Sequence, residues 1–192
     1  MEDRLTDDER RVLLRVARQA VSEAVNRQRR LPLNLSEFSQ RLQEPGATFV
    51  TITSRKGALR GCIGALEPNL PLVEDVREHA ISAALEDFRF APVQPAEIDD
   101  IQIEISRLTL PQPLEYDGPV ALLDKLRPHI DGVILTDGVH RATFLPQVWK
   151  KLPDKSAFLE NLCQKMGVPP DTWRRKKLRV LTYQVEEFHE DK

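Results

Sequence analysis

Two cysteines, eight glycines and a 6 % share of aromatic residues are the scarcities of this 192-residue chain. Cys62 and Cys163 are too few for a disulfide framework and lack the spacing of a zinc or iron-sulfur site, so each is expected as a free thiol and no metal centre is expected. The chain has no Gly-rich phosphate loop ending in Lys-Ser/Thr and no dinucleotide-binding glycine fingerprint, which argues against nucleotide hydrolysis and ordinary NAD chemistry. No cofactor is expected. Nor is there a trio of closely spaced cysteines, which excludes the chain itself as a radical SAM enzyme. Uninterrupted apolar runs long enough to span a membrane are missing, as is a charged-then-apolar leader, so a cytoplasmic protein without a membrane role is expected. Charge of one sign is also in short supply: 28 Lys and Arg against 30 Asp and Glu leave a net charge of −2, which disfavours a dedicated nucleic-acid binder.

What remains is ordinary globular composition with fourteen prolines, enough chain for one domain or two intertwined lobes with a real core. Thr6-Asp7-Asp8-Glu9 is a capping box, and Leu13, Val16, Ala17, Ala20, Val21, Ala24 and Val25 follow at helical spacing. The basic stretch Arg27-Gln28-Arg29-Arg30 fits a cationic end to that helix. Residues 31–45 are bounded by proline and read as loop with at most a short helix.

Residues 48–53 read as a strand, 54–57 as a turn and 59–66 as the return strand of a hairpin. Alternation places Arg60 and Cys62 on one face, about 7 Å apart, with Gly61 and Ile63 on the other. Asn69, Pro71, Glu74 and Asp75 mark the start of a helix that buries Leu72, Val73, Val76, Ala80, Ala83 and Ala84, carries His79 and ends near Asp87. Ile101, Ile103 and Ile105 alternate with Gln102, Glu104 and Ser106, the cleanest strand pattern in the chain.

Residues 111–119 form a proline-rich connection, a candidate boundary between two lobes. Asp137-Gly138 between residues 133–136 and 139–145 predicts a second hairpin with a tight type I′ turn. A short helical piece around 147–150 is followed by a helix from about Asp154 to Met166, stopped by Gly167, with Phe158, Leu159, Leu162, Cys163 and Met166 as its apolar stripe. Leu181, Tyr183 and Val185 alternate as a last strand. Helices and mainly antiparallel hairpins in irregular order predict an α+β fold, an antiparallel sheet with flanking helices.

The chemistry centres on Leu59-Arg60-Gly61-Cys62-Ile63-Gly64. Glycines inside a strand mark a bulge or a close approach of another backbone or a ligand. A cation beside a thiol lowers its pKa toward the reactive thiolate, and Arg60 is placed to supply that charge. Cys62 is thus either a nucleophile or a small buried side chain where two backbones come together. A nucleophile needs a base, and His79, His129 and His140 are candidates, with His189 in a charged tail ranked last. Glu104 is a further acid-base candidate or a solvated strand carboxylate. Arg89 binds an anion or anchors a helix end, and Gln147 faces a ligand or caps the start of a helix beside Pro146. The run from Arg174 to Lys177 reads as a solvated surface.

Four segments in order, Leu59-Arg60-Gly61-Cys62-Ile63-Gly64, Ala83-Ala84-Leu85-Glu86-Asp87-Phe88-Arg89-Phe90, Glu104-Ile105-Ser106 and Ala142-Thr143-Phe144-Leu145-Pro146-Gln147-Val148-Trp149, together resemble the AMMECR domain family over about residues 13–188. The resemblance implies a single AMMECR-type domain of unsettled activity, an α+β fold with a larger and a smaller lobe joined near 109–119, and a cleft lined by the Arg60 to Gly64 segment. It marks Arg60, Gly61, Cys62 and Gly64 as site residues, followed by Arg89, Glu104 and the 143–147 segment. It also implies a Memo-type protein and a radical SAM protein as partners, since such chains are similar to the A component of AmmeMemoRadiSam clusters. The family commonly has Asp-Pro-Arg-Phe where this chain has Asp87-Phe88-Arg89-Phe90, so the acid and the base stay while the proline is lost. Two functional classes follow: a cysteine-dependent enzyme with Cys62 as nucleophile, or a noncatalytic module binding a peptide, a partner protein or a small anion.

Overall fold

A computed structural model describes residues 4–190. Its elements in chain order are α1 (Asp7–Val25), α2 (Gln40–Gln43), β1 (Pro45–Ser54), β2 (Leu59–Gly64), β3 (Leu70–Pro71), α3 (Leu72–Leu85), β4 (Ile101–Leu108), β5 (Gln112–Pro113), α4 (Gly118–Lys125), β6 (Gly132–Thr136), β7 (Arg141–Phe144), α5 (Lys155–Met166), α6 (Thr172–Arg175), β8 (Arg179–Tyr183) and β9 (Val185–His189). The fold is α+β with antiparallel sheets and flanking helices. Two compact units divide the described residues, one from residues 4–108 with 186–190, the other from residues 109–185.

In the first unit the strand order is β2-β1-β4-β9, with β3 paired to the start of β1. Both β2 and β4 run antiparallel to β1. The period-2 pattern sends Val50, Ile52, Ile103 and Ile105 to one face, where they pack with Leu13, Ala17 and Val21 of α1 and Val73, Val76 and Ala80 of α3. The capping box forms as the spacing predicts: Glu9 N–H donates to the Thr6 hydroxyl, and Thr6 N–H donates to the Glu9 carboxylate. The far end of α1 differs from expectation. The helix stops at Val25, Asn26 Nδ2 donates back to the Ser22 carbonyl, and Arg27 takes a left-handed conformation (φ 54°). The basic stretch therefore follows the helix rather than occupying its last turn.

In the second unit the order is β5-β8-β6-β7. Val133, Leu135 and Val180 pack with Trp149, Phe158 and Leu162, and the Trp149 and Phe158 rings stack 3.6 Å apart. Asp154 caps α5 and Gly167 closes it in the left-handed conformation (φ 83°). The Asp137-Gly138 hairpin is not a two-residue type I′ turn. Thr136 pairs with Arg141, so four residues make the loop, and of these only Gly138 has a positive φ. The Asp137 carboxylate instead accepts the N–H groups of Val139 and His140, doing with a side chain what a second left-handed residue would do.

The alternation through Leu181, Tyr183 and Val185 conceals a boundary. It is two strands, β8 in the second sheet and β9 in the first. Gln184 separates them: its N–H donates to the Thr109 hydroxyl and its carbonyl accepts from Thr109 N–H, so the chain's exit at 109 and its return are bonded together. The returning β9 is held by α1. Arg10 Nε donates to Glu186, while Arg18 bonds the Glu190 carboxylate and the carbonyls of Ile98 and Ile101. Glu190→Gln keeps the shape and removes the charge, and is expected to cost about 1 kcal/mol in urea unfolding, with faster amide exchange in β9. Unchanged exchange there would show that the strand does not depend on this pair.

Candidate functional site

Strand β2 is an edge of the first sheet, and its two faces do different work. Ile63 joins the core against α3, and Gly61 lies where a Cβ atom would sit 1.9 Å from the Ala83 carbonyl oxygen of that helix. This close approach is the reason for glycine at 61, and it lies on the face opposite the thiol. Cys62, Arg60 and Gly64 share the other face. At Gly64 a Cβ would meet the Thr48 carbonyl oxygen at 2.3 Å and the Phe49 ring at 2.5 Å. The two glycines are therefore spacers that seat β2 against α3 and β1.

Register places Cys62 beside Thr51 and Thr51 beside Glu104, so the three side chains form one row across β2, β1 and β4. The Thr51 hydroxyl donates to Cys62 Sγ at 3.3 Å. Glu104 is half-buried, and its carboxylate has no hydrogen-bond partner among the described residues. The row continues on β9. Glu190 N–H donates to the Ile103 carbonyl, and Arg107 pairs with Glu186 at 3.4 Å, which sets β9 antiparallel to β4 with His189 opposite Glu104. Phe188 is in the core, so His189 takes the same face as Glu104.

The backbone of Cys62 is held from outside the sheet. Its N–H donates to Asp87 Oδ2 at 2.9 Å, and its carbonyl accepts from Arg89 Nη2 at 3.2 Å. Arg89 in turn donates to both Asp87 oxygens, Nε at 2.8 Å and Nη2 at 2.6 Å. Asp87 and Arg89 thus pair with the free edge of β2 as a neighbouring strand would, through side chains. The turn that presents them closes without a proline, Phe90 N–H donating to the Asp87 carbonyl and Arg89 N–H to Asp87 Oδ1. Asp87 is buried, and the hydrogen bonds from Arg89 foremost, with the Cys62 N–H behind them, hold its carboxyl far below the usual carboxylate range against the cost of burial. The same pairing raises the Arg89 pKa.

Two sequence expectations are corrected. Arg60 does not reach the thiol: its Nε and Nη2 donate to the Glu97 carboxylate at 2.8 and 3.0 Å, and Nη2 also to the Ala91 carbonyl. Sharing a strand face brings residues to about 7 Å, and a side chain as long as arginine takes the nearest carboxylate instead. The bond from Arg60 holds Glu97 below its ordinary pKa. The guanidinium bonded to the Cys62 residue is that of Arg89. His79 is also displaced. It sits on α3, on the core side of the sheet, with Nδ1 3.1 Å from Asp75 Oδ2, which accepts the buried Thr48 hydroxyl at 2.6 Å. The sheet lies between His79 and the thiol.

His129, His140 and Gln147 belong to the second unit. His140 is exposed, its Nδ1 3.3 Å from Asp137 Oδ2, and Gln147 is exposed on the short 3-10 helix Pro146–Lys150, the helical piece expected there. Cys163 is fully buried in that unit's core, and burial pushes its thiol pKa up. Among the described residues no group of three or more His, Cys, Asp or Glu is placed to share a metal ion. No described helix is long and apolar enough to cross a membrane. Thr51 and Asp87 in its clamping role are the site residues that sequence reasoning passed over. His189, ranked last among the histidines for its charged tail, is the one on the face of Glu104, and its alternation with the apolar Phe188 is the usable signal.

The model of the AMMECR1 family matches residues 14–188. A protein of Methanothermobacter thermautotrophicus is 44 % identical over 191 residues, covering 97 % of both chains. One from Thermofilum pendens is 38 % identical over 201 residues, covering 97 % of this chain and 92 % of its own. The crystal structure of the uncharacterised protein PH0010 from Pyrococcus horikoshii superposes with a TM-score of 0.76 at 34 % identity, over 97 % of this chain and 94 % of that one.

Proposed function

This chain belongs to the AMMECR1 family, and from that premise we propose that it is a cysteine-dependent enzyme whose site is the polar sheet face bearing Cys62. The observation that supports this is the fixing of one cysteine at three atoms: its N–H donates to Asp87, its carbonyl accepts from Arg89 and its Sγ accepts from the Thr51 hydroxyl. In this mechanism Sγ attacks the carbonyl carbon of a small-molecule or peptide acyl group: the S–C bond forms as the C=O π pair moves to oxygen, and the C=O re-forms as the C–N or C–O bond breaks and the departing amine or alcohol carries away the thiol proton. The Thr51 donor stabilises charge on sulfur, and Arg89 supplies positive charge at the Cys62 carbonyl. Glu104, with its carboxylate uncommitted on the same sheet face, is the group that takes and returns a proton on the bound substrate. We place this reaction in one sequence with those of a Memo-type and a radical SAM protein.

A second reading, a noncatalytic module for a peptide or small anion, is favoured by the histidines of the first unit: His79 is on the opposite face, and His189 is three strands from Cys62. Alkylation separates the two. Native protein treated with iodoacetamide and read by intact mass and peptide mapping is expected to take one label, at Cys62, with Cys163 labelled only after denaturation. Thr51→Val is expected to slow Cys62 about fivefold, the loss of one hydrogen bond. A Cys62 that alkylates no faster than an unstructured cysteine peptide, with Thr51→Val without effect, overturns the nucleophile and leaves the binding module.

A further inference from the structure

The sheet face that carries Cys62 holds a run of polar groups without protein partners. Along β4, Gln102, Glu104 and Ser106 alternate with the core residues Ile101, Ile103 and Ile105, and so project on that face about 6.8 Å apart. None of the three has a hydrogen-bond or ion-pair partner among the described residues. Ser106 is only 7 % exposed, and a hydroxyl buried that deeply is ordinarily bonded. Unmet polar groups on a site face are groups that a bound molecule satisfies.

The charge of this face is one-sided. Both arginines bordering the thiol are already neutralised, Arg60 by Glu97 at 2.8 Å and Arg89 by Asp87 at 2.6 Å. Glu187 on β9 is engaged as well, and His189, opposite Glu104, makes no ion pair with it. Among the described residues of this face, the carboxylate left without a counter-ion is therefore that of Glu104. A carboxylate only accepts hydrogen bonds, so its complement is a cation with N–H donors. Such a cation also carries the proton that a base at this position takes.

Strand register gives the length of the molecule that joins the two groups. Cys62 and Glu104 lie two strand spacings apart, about 10 Å, with Thr51 between them. The S–C bond to an acyl group and the contact to the carboxylate take up part of this. They leave about 7 Å, the reach of about six bonds in an extended chain that advances about 3.5 Å in three. We propose that the site accepts an acyl group with a terminal ammonium about six bonds from its carbonyl carbon, an ω-amino acyl or lysyl-type chain laid over Thr51 with its cation on Glu104. The proposal rests on the reading of Cys62 as the nucleophile and names the substrate class for it.

Two measurements test it, the first without the thiol. In Cys62→Ala protein, NMR titration followed at the amides of Gln102, Glu104 and Ser106 compares 6-aminohexanamide with uncharged hexanamide and with the anionic monoamide of adipic acid. The cationic amide is expected to saturate and to bind about tenfold more tightly than the other two, a preference weakened by added NaCl. Glu104→Gln is expected to erase that preference, and Glu78→Gln, at an exposed position of α3, to leave it. In protein with Cys62 intact, p-nitrophenyl 6-aminohexanoate is expected to acylate the thiol about tenfold faster than p-nitrophenyl hexanoate or 3-aminopropanoate, each rate taken relative to that with free N-acetylcysteine and read by intact mass and p-nitrophenolate release. Circular dichroism checks that each variant is folded. Equal binding of the three amides, no saturation by the cationic one, a preference that survives Glu104→Gln, or acylation indifferent to the ammonium and its distance overturns the proposal. Selective binding of the cationic amide with no ester acylating Cys62 keeps the cation subsite and overturns the nucleophile.

Discussion

Gly61→Ala is expected to cost about 3 kcal/mol or more, a drop of roughly 6–12 °C in the unfolding midpoint of a domain this size. The added methyl would lie 1.9 Å from the Ala83 carbonyl oxygen and 2.9 Å from its carbon. Both are backbone atoms of α3, with no flexible side chain to swing aside. Either α3 or β2 must move, and α3 is fixed by Val73, Val76, Ala80 and Ala84 in the core. The displacement therefore falls on β2, and Cys62 moves with it. Gly57 gives the control: it has φ +82° and open space around its Cα, so Gly57→Ala costs only the left-handed penalty of about 1 kcal/mol. Thermal unfolding of both variants checks the order. Equal midpoints would mean that the approach of α3 to β2 is relieved at little cost and that glycine at 61 has another cause.

That comparison also shows what a sequence can carry. Local rules reach local structure: Thr6 with Glu9, Asp154 with Gly167, and the isoleucines of β4 each state their element within a few residues. The glycines at 61 and 64 announce a close approach, but which backbone approaches is set elsewhere: α3, some twenty residues on, at Gly61, and Thr48 and Phe49 of β1 at Gly64. Strand register is the missing link. Nothing near Cys62 names Thr51 as its neighbour, and nothing near Glu104 names His189. Both follow once β1 lies between β2 and β4 and β9 returns to the far edge. The split of β8 from β9 is illegible for the same reason, because the alternation runs on unbroken while the chain changes sheets. Arg60 and Arg89 exchange roles on the choice of carboxylate: Glu97 takes the first and Asp87 the second, and those pairings belong to the fold.

Asp87→Asn is expected to cost roughly 2 kcal/mol at neutral pH, less than the loss of a wholly buried pair because the Arg89 side chain, 48 % exposed, is rehydrated. The amide keeps one acceptor oxygen for the Cys62 N–H or for Arg89, and turns an N–H₂ donor toward the other. The pH dependence gives the sign. Arg89 and the Cys62 N–H depress the folded-state pKa of Asp87, so the unfolded chain takes up its proton first as pH falls. The stability this group contributes is complete above the ordinary carboxylate value of about 3.9 and is lost as pH falls below it toward the folded value. The difference between wild type and Asp87→Asn is therefore flat at neutral pH and narrows only under acid, as urea unfolding from pH 7 downward will show. A difference that grows on acidification would assign the carboxylate the opposite role. Amide exchange at Cys62 gives the local reading: with its acceptor weakened it should speed up while Thr51, on the paired strand, does not. If so, the edge of β2 is fastened by Asp87 and Arg89, and the thiol owes its position to a pair of side chains from the turn after α3.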